Sequence, residues 1–215
     1  QTAYAVPTSS RSFRWDALAP ITAVTNPSAS AIRNSQAAID GSAGDDPAGT
    51  GLVDVAVRYA VGGSTRYWNT GASSWAVSAS PLWFGAFINN PSSTTWTVGI
   101  PSWTMAGNQN VFTILTRGSD QSLPAGLVET PGAGRTFTFD VSPPTSTIAY
   151  PAGGALLNTL GTLSGTFDAG LAGISRVDVS VMRSDNSNYW SNSSGWVAFS
   201  TVSVAGVAGN AWTYS

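Results

Sequence analysis

Apolar and polar residues alternate along much of this chain, in short stretches separated by clusters of Gly, Asn, Ser and Pro. The clearest alternation lies at 52–59, where Val53, Val55 and Val57 would share one face of an extended strand. No stretch combines a helical period with capping residues. The pattern therefore predicts an all-β protein. Strands are predicted at 21–25, 37–41, 52–59, 66–69, 74–78, 94–98, 111–117 and 135–141, and then at 146–150, 163–167, 176–182, 189–191, 196–200 and 211–214.

Much of this pattern occurs twice, at an offset of 124 residues. The sequence RSFRWD at 11–16 returns as RTFTFD at 135–140, and VDVAVR at 53–58 returns as VDVSVM at 177–182. Collinear matches with small deletions indicate tandem repeats of a domain, with length changes in loops. At slightly shorter offsets, Tyr67, Trp68, Trp75 and Trp96 match Tyr189, Trp190, Trp196 and Trp212.

The repeats divide the chain into three parts. Residues 20–143 form one complete repeat, and 144–215 form a second that is incomplete at its C-terminus. Residues 1–19 match the end of a repeat, so we expect them to be the last strand of a preceding or neighbouring domain. About seven short strands over about 120 residues predict tandem antiparallel β-sandwiches of Ig-like type. The chain has no Cys, so burial of apolar side chains must hold the sheets together.

The amino-acid composition of the chain argues against several classes of function. The chain has no His and no Lys, which excludes a Ser-His-Asp triad and a Ser-Lys pair, and its eleven acidic residues are scattered. We therefore expect no enzyme. The net charge of −2 and the absence of a basic patch argue against nucleic acid as a partner. No apolar run approaches the roughly 20 residues of a membrane-spanning helix. Charged residues make up only 9% of the chain, which suits packing against copies of itself.

The second repeat resembles a known family. The sequence GTFDAGLAGISRVDVSV at 165–181, followed by Asn188-Tyr-Trp-Ser and Trp196, looks like bacterial Ig-like repeats of large secreted and cell-surface proteins, commonly adhesins and stalks. The resemblance implies β-sandwich modules strung end to end at the bacterial cell surface. It implies a structural role as spacer, filament or sheath, with adjacent repeats or further copies as partners, and no particular ligand.

The start of the chain carries a candidate for self-assembly. Residues 8–16 are predicted to form a strand with Arg11 at its start and Phe13 and Trp15 on one face. Since 144–215 lacks the last strands of a repeat, this strand could complete a neighbouring copy by β-strand addition. The alternative is that the chain is a window cut from a longer array. No counterpart of residues 100–124 occurs at either end of the chain, which favours a segment cut from a longer array over strand addition.

Paired aromatic residues offer a second function, as a carbohydrate-binding or adhesive module for a cell-surface glycan. The residues Trp68, Trp75, Trp190 and Trp196 could form stacking surfaces for sugars on exposed hairpins. The alternative places these side chains in the sandwich cores. It is favoured, because both repeats carry the motif at similar spacing.

Acidic loop residues give a weak indication of a cofactor. Asp45 and Asp46 precede the strand that contains Val53, and Asp168 lies in the matching loop of the second repeat. Carboxylates are ligands that Ca²⁺ takes, but Asp also favours turns through local hydrogen bonds. The spacing matches no calcium loop, so turn formation is favoured. No other cofactor is expected.

Overall fold

The computed structural model describes residues 11–45, 48–88, 95–99, 101–199 and 201–215. The fold is all-β, and the helical structure of these residues is one short 3-10 helix, Trp103–Ala106. The chain divides into two compact units, Gln1–Phe139 and Asp140–Ser215. No helix in the described ranges is long and apolar enough to cross a membrane.

Unit 1 contains two sheets. In chain order its strands are β1 (Ile21–Asn26), β2 (Ala31–Arg33), β3 (Ile39–Gly44), β4 (Thr50–Val61), β5 (Ser64–Asn69), β6 (Ser74–Val77), β7 (Phe84–Gly85), β8 (Phe87–Ile88), β9 (Thr95–Val98), β10 (Asn110–Asp120) and β11 (Arg135–Phe139). One sheet has the order β1-β3-β9-β8, and the other has the order β2-β11-β10-β4-β5-β6 with β7 beside β4. The short pair β2 and β11 is parallel, and the other recorded pairs of this unit are antiparallel.

One apolar core lies between the two sheets of unit 1, as in a β-sandwich. The predicted inner face of β4 is confirmed, because Val53, Val55 and Val57 are fully buried. Trp103 extends the core with edge-on contacts to Phe112 and Phe137, with ring centroids 5.1 Å apart in both pairs. Burial of each such large side chain contributes about 1.5–3 kcal/mol to stability.

Unit 2 is smaller. Its strands are β12 (Thr145–Tyr150), β13 (Leu163–Asp168), β14 (Val177–Val179), β15 (Tyr189–Ser191), β16 (Gly195–Val197), β17 (Ser203–Ala208) and β18 (Ala211–Tyr214). A five-stranded sheet has the order β12-β13-β18-β17-β14, and β15 and β16 form a separate hairpin. The buried core cluster consists of Phe167, Val177, Val179, Ala205 and Trp212.

Three strands of each unit pair in the same register. Val24 lies opposite Gly41 in the β1–β3 pair, and 124 residues later Ile148 lies opposite Gly165 in the β12–β13 pair. Both pairs are then interrupted by an irregularity one step further along the first strand. The β9 and β18 strands add to the other edge of β3 and β13 in equivalent positions.

A glycine opposite a tryptophan marks this shared register. Gly41 faces Trp96 in unit 1, and Gly165 faces Trp212 in unit 2. A Cβ atom at Gly41 would lie 2.0 Å from the Trp96 ring, and one at Gly165 would lie 2.6 Å from the Trp212 ring. The ring of each buried tryptophan, together with a backbone carbonyl of Ala23 or Thr147, therefore occupies the space that a side chain would need. Each indole N–H donates to a backbone carbonyl, at 2.9 Å for Trp96 and 3.1 Å for Trp212.

The segment before β1 differs from its prediction. A strand is predicted over 8–16, but residues 11–20 form no strand in this chain, and 8–10 lie outside the described residues. A strand needs a pairing partner, and these residues have none within the described part of their own chain. The short strands β2, β7 and β8 and the longer β17 were not predicted.

Candidate functional site

The aromatic hairpin of unit 1 is part of the core. Trp68 in β5 lies opposite Trp75 in β6, with ring centroids 5.4 Å apart. The two side chains are only 8% and 9% exposed. The Trp75 ring also meets Tyr59 edge-on, and its N–H donates to the Ser102 carbonyl at 3.0 Å. Both rings therefore belong to the buried core cluster of unit 1, and β5 pairs with the central strand β4.

The matching hairpin of unit 2 is more open. Trp190 and Trp196 lie opposite each other, 38% and 40% exposed, with ring centroids 5.5 Å apart and planes at 69°. The Arg183 guanidinium lies 5.4 Å from the centroid of the Trp196 ring. Because the two indole planes are steeply inclined, they do not form one flat stacking surface.

These two tryptophans line a cleft in unit 2. The cleft has a volume of about 420 Å³, and Tyr214 and Asn192 contribute polar groups to its wall. The Tyr214 hydroxyl donates to the Asn192 side chain and lies 3.2 Å from the Ser203 hydroxyl. The cleft could hold a ring-shaped ligand against the Trp190 and Trp196 faces.

The predicted assembly residues Arg11, Phe13 and Trp15 are exposed. The Phe13 and Trp15 side chains are 86% and 80% exposed, and Arg11 is also exposed. Two large apolar side chains close together on the surface are typical of contacts with another molecule.

Three carboxylates converge in unit 1, beside the ends of β3 and β10. One oxygen each from Asp16, Asp45 and Asp120 lies within 4.8 Å of the other two. Asp16 belongs to the segment before β1, Asp45 follows β3 directly, and Asp120 is the last residue of β10. We refer to these three residues as the acid cluster.

Local hydrogen bonds orient Asp16. Its Oδ2 accepts a hydrogen bond from the Ala48 N–H at 3.1 Å, and its Oδ1 accepts one from the Leu18 N–H at 3.0 Å. The hydrogen bond between Asp16 and Ala48 thus links the segment before β1 to the loop between β3 and β4.

Asp120 is the most buried member of the acid cluster, with 6% of its surface exposed. Its Oδ1 accepts hydrogen bonds from the Ser122 N–H at 3.0 Å, the Ser122 hydroxyl at 2.8 Å and the Leu127 N–H at 2.7 Å. Burial alone would raise the pKa of Asp120, but these hydrogen bonds outweigh it and hold the pKa below its ordinary value. The carboxyl group is therefore held as a carboxylate.

The second carboxylate oxygen of Asp120, Oδ2, lacks such hydrogen bonds within the described part of the chain. Oδ2 is buried and has no hydrogen-bond partner among the described residues. Thr50 lies directly opposite Asp120 in the β4–β10 pair, and its Oγ1 is also buried without such a partner. Buried polar atoms are nearly always satisfied, so two such atoms on paired residues need an explanation.

Of the predicted calcium candidates, the structure describes Asp45 and Asp168. Asp45 belongs to the acid cluster, whereas Asp46 lies outside the described residues. Asp168 is exposed, and its Oδ1 accepts a hydrogen bond from the Gly170 N–H at 2.9 Å, as the turn interpretation expects. Sequence reasoning missed Asp16 and Asp120. They are 104 residues apart, and no local spacing indicates that they meet.

Comparisons with known proteins add no assignment. No family model matches the chain, and the search of curated proteins finds no match either.

Proposed function

We propose that this chain is a structural repeat segment of an extracellular bacterial surface protein, in which tandem Ig-like β-sandwiches act as a spacer, filament or sheath. The observation that carries the proposal is the shared register of β1-β3-β9 and β12-β13-β18, with a glycine under a buried tryptophan in each unit. Repetition of one module is the usual way for a chain to extend itself in space.

The surface composition supports a role outside catalysis. Only 9% of residues are charged, all nine basic residues are Arg, and the chain has no His or Cys. Among the described residues, the three ion pairs are Asp54–Arg117, Asp178–Arg176 and Asp185–Arg183. A surface this poor in charge offers little repulsion between copies and favours close lateral packing.

The exposed segment at 11–15 is the part of the chain through which copies would join. Its sequence matches β11, which in unit 1 pairs with β10 and with β2. In unit 2, β14 lies at the edge of its sheet, whereas its counterpart β4 lies between β10 and β5. Phe13 and Trp15 would be buried when this segment adds to such an edge in a neighbouring copy.

Sedimentation velocity over a range of concentrations tests this assembly. The chain is expected to form larger species as concentration rises, and the double variant Phe13→Asp/Trp15→Asp is expected to stay monomeric. Leu156→Asp is the matched control, because Leu156 is fully exposed in unit 2 and should not affect association. A wild-type chain that stays monomeric throughout, or a double variant that associates equally well, would remove strand addition from the proposal.

A carbohydrate-binding or adhesive module is the second candidate, restricted to the unit 2 cleft. It is favoured by the partly exposed Trp190 and Trp196 rings and the nearby amide of Asn192. Titration with a panel of bacterial and host glycans tests it. Binding that is lost in Trp190→Ala and kept in Trp15→Ala would support this candidate, and no binding to any glycan would contradict it.

A further inference from the structure

We propose that Asp16, Asp45 and Asp120 bind a divalent cation, and that the ion is Ca²⁺. The three carboxylate oxygens lie within 4.8 Å of one another, a separation that places them around a common point. Ligand oxygens of Ca²⁺ lie 2.3–2.6 Å from the ion, so oxygens on different sides of it are about this far apart.

Charge at the acid cluster favours a cation. Carboxylates held this close repel one another unless positive charge lies between them. In the described part of the chain, neither Asp16 nor Asp120 forms an ion pair with an arginine.

The two carboxylate oxygens of Asp120 have different roles in the proposed site. Oδ1 is engaged by the loop that follows β10, which fixes the orientation of the carboxylate. Only 6% of the Asp120 surface is exposed. Its Oδ2 is buried and has no hydrogen-bond partner among the described residues. A bound cation would satisfy Oδ2, which otherwise carries an uncompensated cost of burial.

Ligand chemistry selects the type of ion. The chain has no His or Cys, so its ligand atoms are oxygens, which hard cations prefer. The Thr50 Oγ1, buried opposite Asp120, is a candidate for a further oxygen ligand. Ligands drawn from three separate segments give an irregular arrangement, which Ca²⁺ accepts and Mg²⁺, with its strict octahedral geometry, does not.

Binding at this place would fix the segment before β1 to the body of unit 1. Asp16 comes from that segment, whereas Asp45 and Asp120 come from the ends of β3 and β10. The inference rests on the acid cluster alone and holds whether or not the chain is a structural repeat.

Calorimetric titration of the full chain, stripped of metal with EDTA, tests the site with CaCl₂ and with MgCl₂. We expect one Ca²⁺ per chain with a Kd between about 10⁻⁶ and 10⁻³ M, and Mg²⁺ binding that is at least about tenfold weaker. Saturating Ca²⁺ should raise the Tm of unit 1 by about 5–10 °C. No heat and no Tm shift at millimolar Ca²⁺, or equal binding of both ions, would overturn the assignment.

Three variants locate the site. Asp16→Asn and Asp120→Asn should each weaken Ca²⁺ binding at least about tenfold, because each removes one carboxylate ligand. Asp185→Asn is the control, since Asp185 is an exposed carboxylate paired with Arg183 in unit 2. Asp16 lies outside the strands, so its variant should fold even if Asp120→Asn does not. Unchanged affinity in Asp16→Asn, or an equal loss in Asp185→Asn, would contradict the site.

Trypsin gives an independent measurement. Arg14 is exposed in the strandless segment, two residues before Asp16. Ca²⁺ should slow cleavage after Arg14 several-fold in the wild-type chain and should have no effect in Asp16→Asn. Equal cleavage rates with and without Ca²⁺ in the wild-type chain would show that Asp16 does not hold the ion.

Discussion

Tryptophans at matched sequence positions in the two units occupy different environments. Trp68 is buried because β5 pairs with four residues at the end of β4, which draws the hairpin over the core. Trp190 is partly exposed because β14 is only three residues long, and the bridge between Met182 and Tyr189 provides the contact at this end of the hairpin. Residue type alone therefore does not decide whether an aromatic side chain is core or surface.

The buried tryptophans opposite glycine should dominate stability in their own units. Trp96→Ala and Trp212→Ala should each lower the free energy of unfolding of the affected unit by about 3–5 kcal/mol, because each leaves a large cavity. Trp15→Ala should change it by less than about 0.5 kcal/mol, since Trp15 is exposed. Urea unfolding followed by circular dichroism measures these differences. Midpoints that match the wild type in both core variants would show that neither ring supports the core.

At the scale of elements, alternation predicts strands that have one buried face. The β4 strand is long and its inner valines repeat at every second position, so its presence is clear from the sequence. The two-residue strands β7 and β8 are too short to show a period, and β17 carries little contrast between its faces.

The acid cluster could be predicted only in part. Asp45 stands out in a loop, but its meeting with Asp16 and Asp120 depends on contacts distant in sequence.

The close contact between β3 and β9 gives a test of the shared register. Gly41→Ala should destabilise unit 1 by about 1–3 kcal/mol or more, because its Cβ would overlap the Trp96 ring. Gly44→Ala is the matched control in the same strand, since a Cβ there has no atom within 4 Å. Gly165→Ala should weaken unit 2 in the same way. Thermal unfolding of the variants measures the effect, and equal stability of Gly41→Ala and Gly44→Ala would contradict the packing of the Trp96 ring over Gly41.

At the scale of the whole molecule, the two units share one three-stranded arrangement and differ in what surrounds it. Unit 1 adds a second, wide sheet and an aromatic core that includes Trp75, Trp103 and Phe112. Unit 2 has a smaller buried cluster and a hairpin outside its main sheet. We therefore expect unit 2 to be the weaker of the two. A chain of such units would extend in steps under load, in keeping with the proposed role as a spacer.

Pulling on a single chain by atomic force tests most directly whether the two units are separate modules in series. Unfolding strands 21–139 and 145–214 should release about 40 nm and about 25 nm of chain, at roughly 0.36 nm per residue. We expect two distinct steps, with the shorter step at the lower force. A single step near 65 nm would show one cooperative globule and would contradict the modular account.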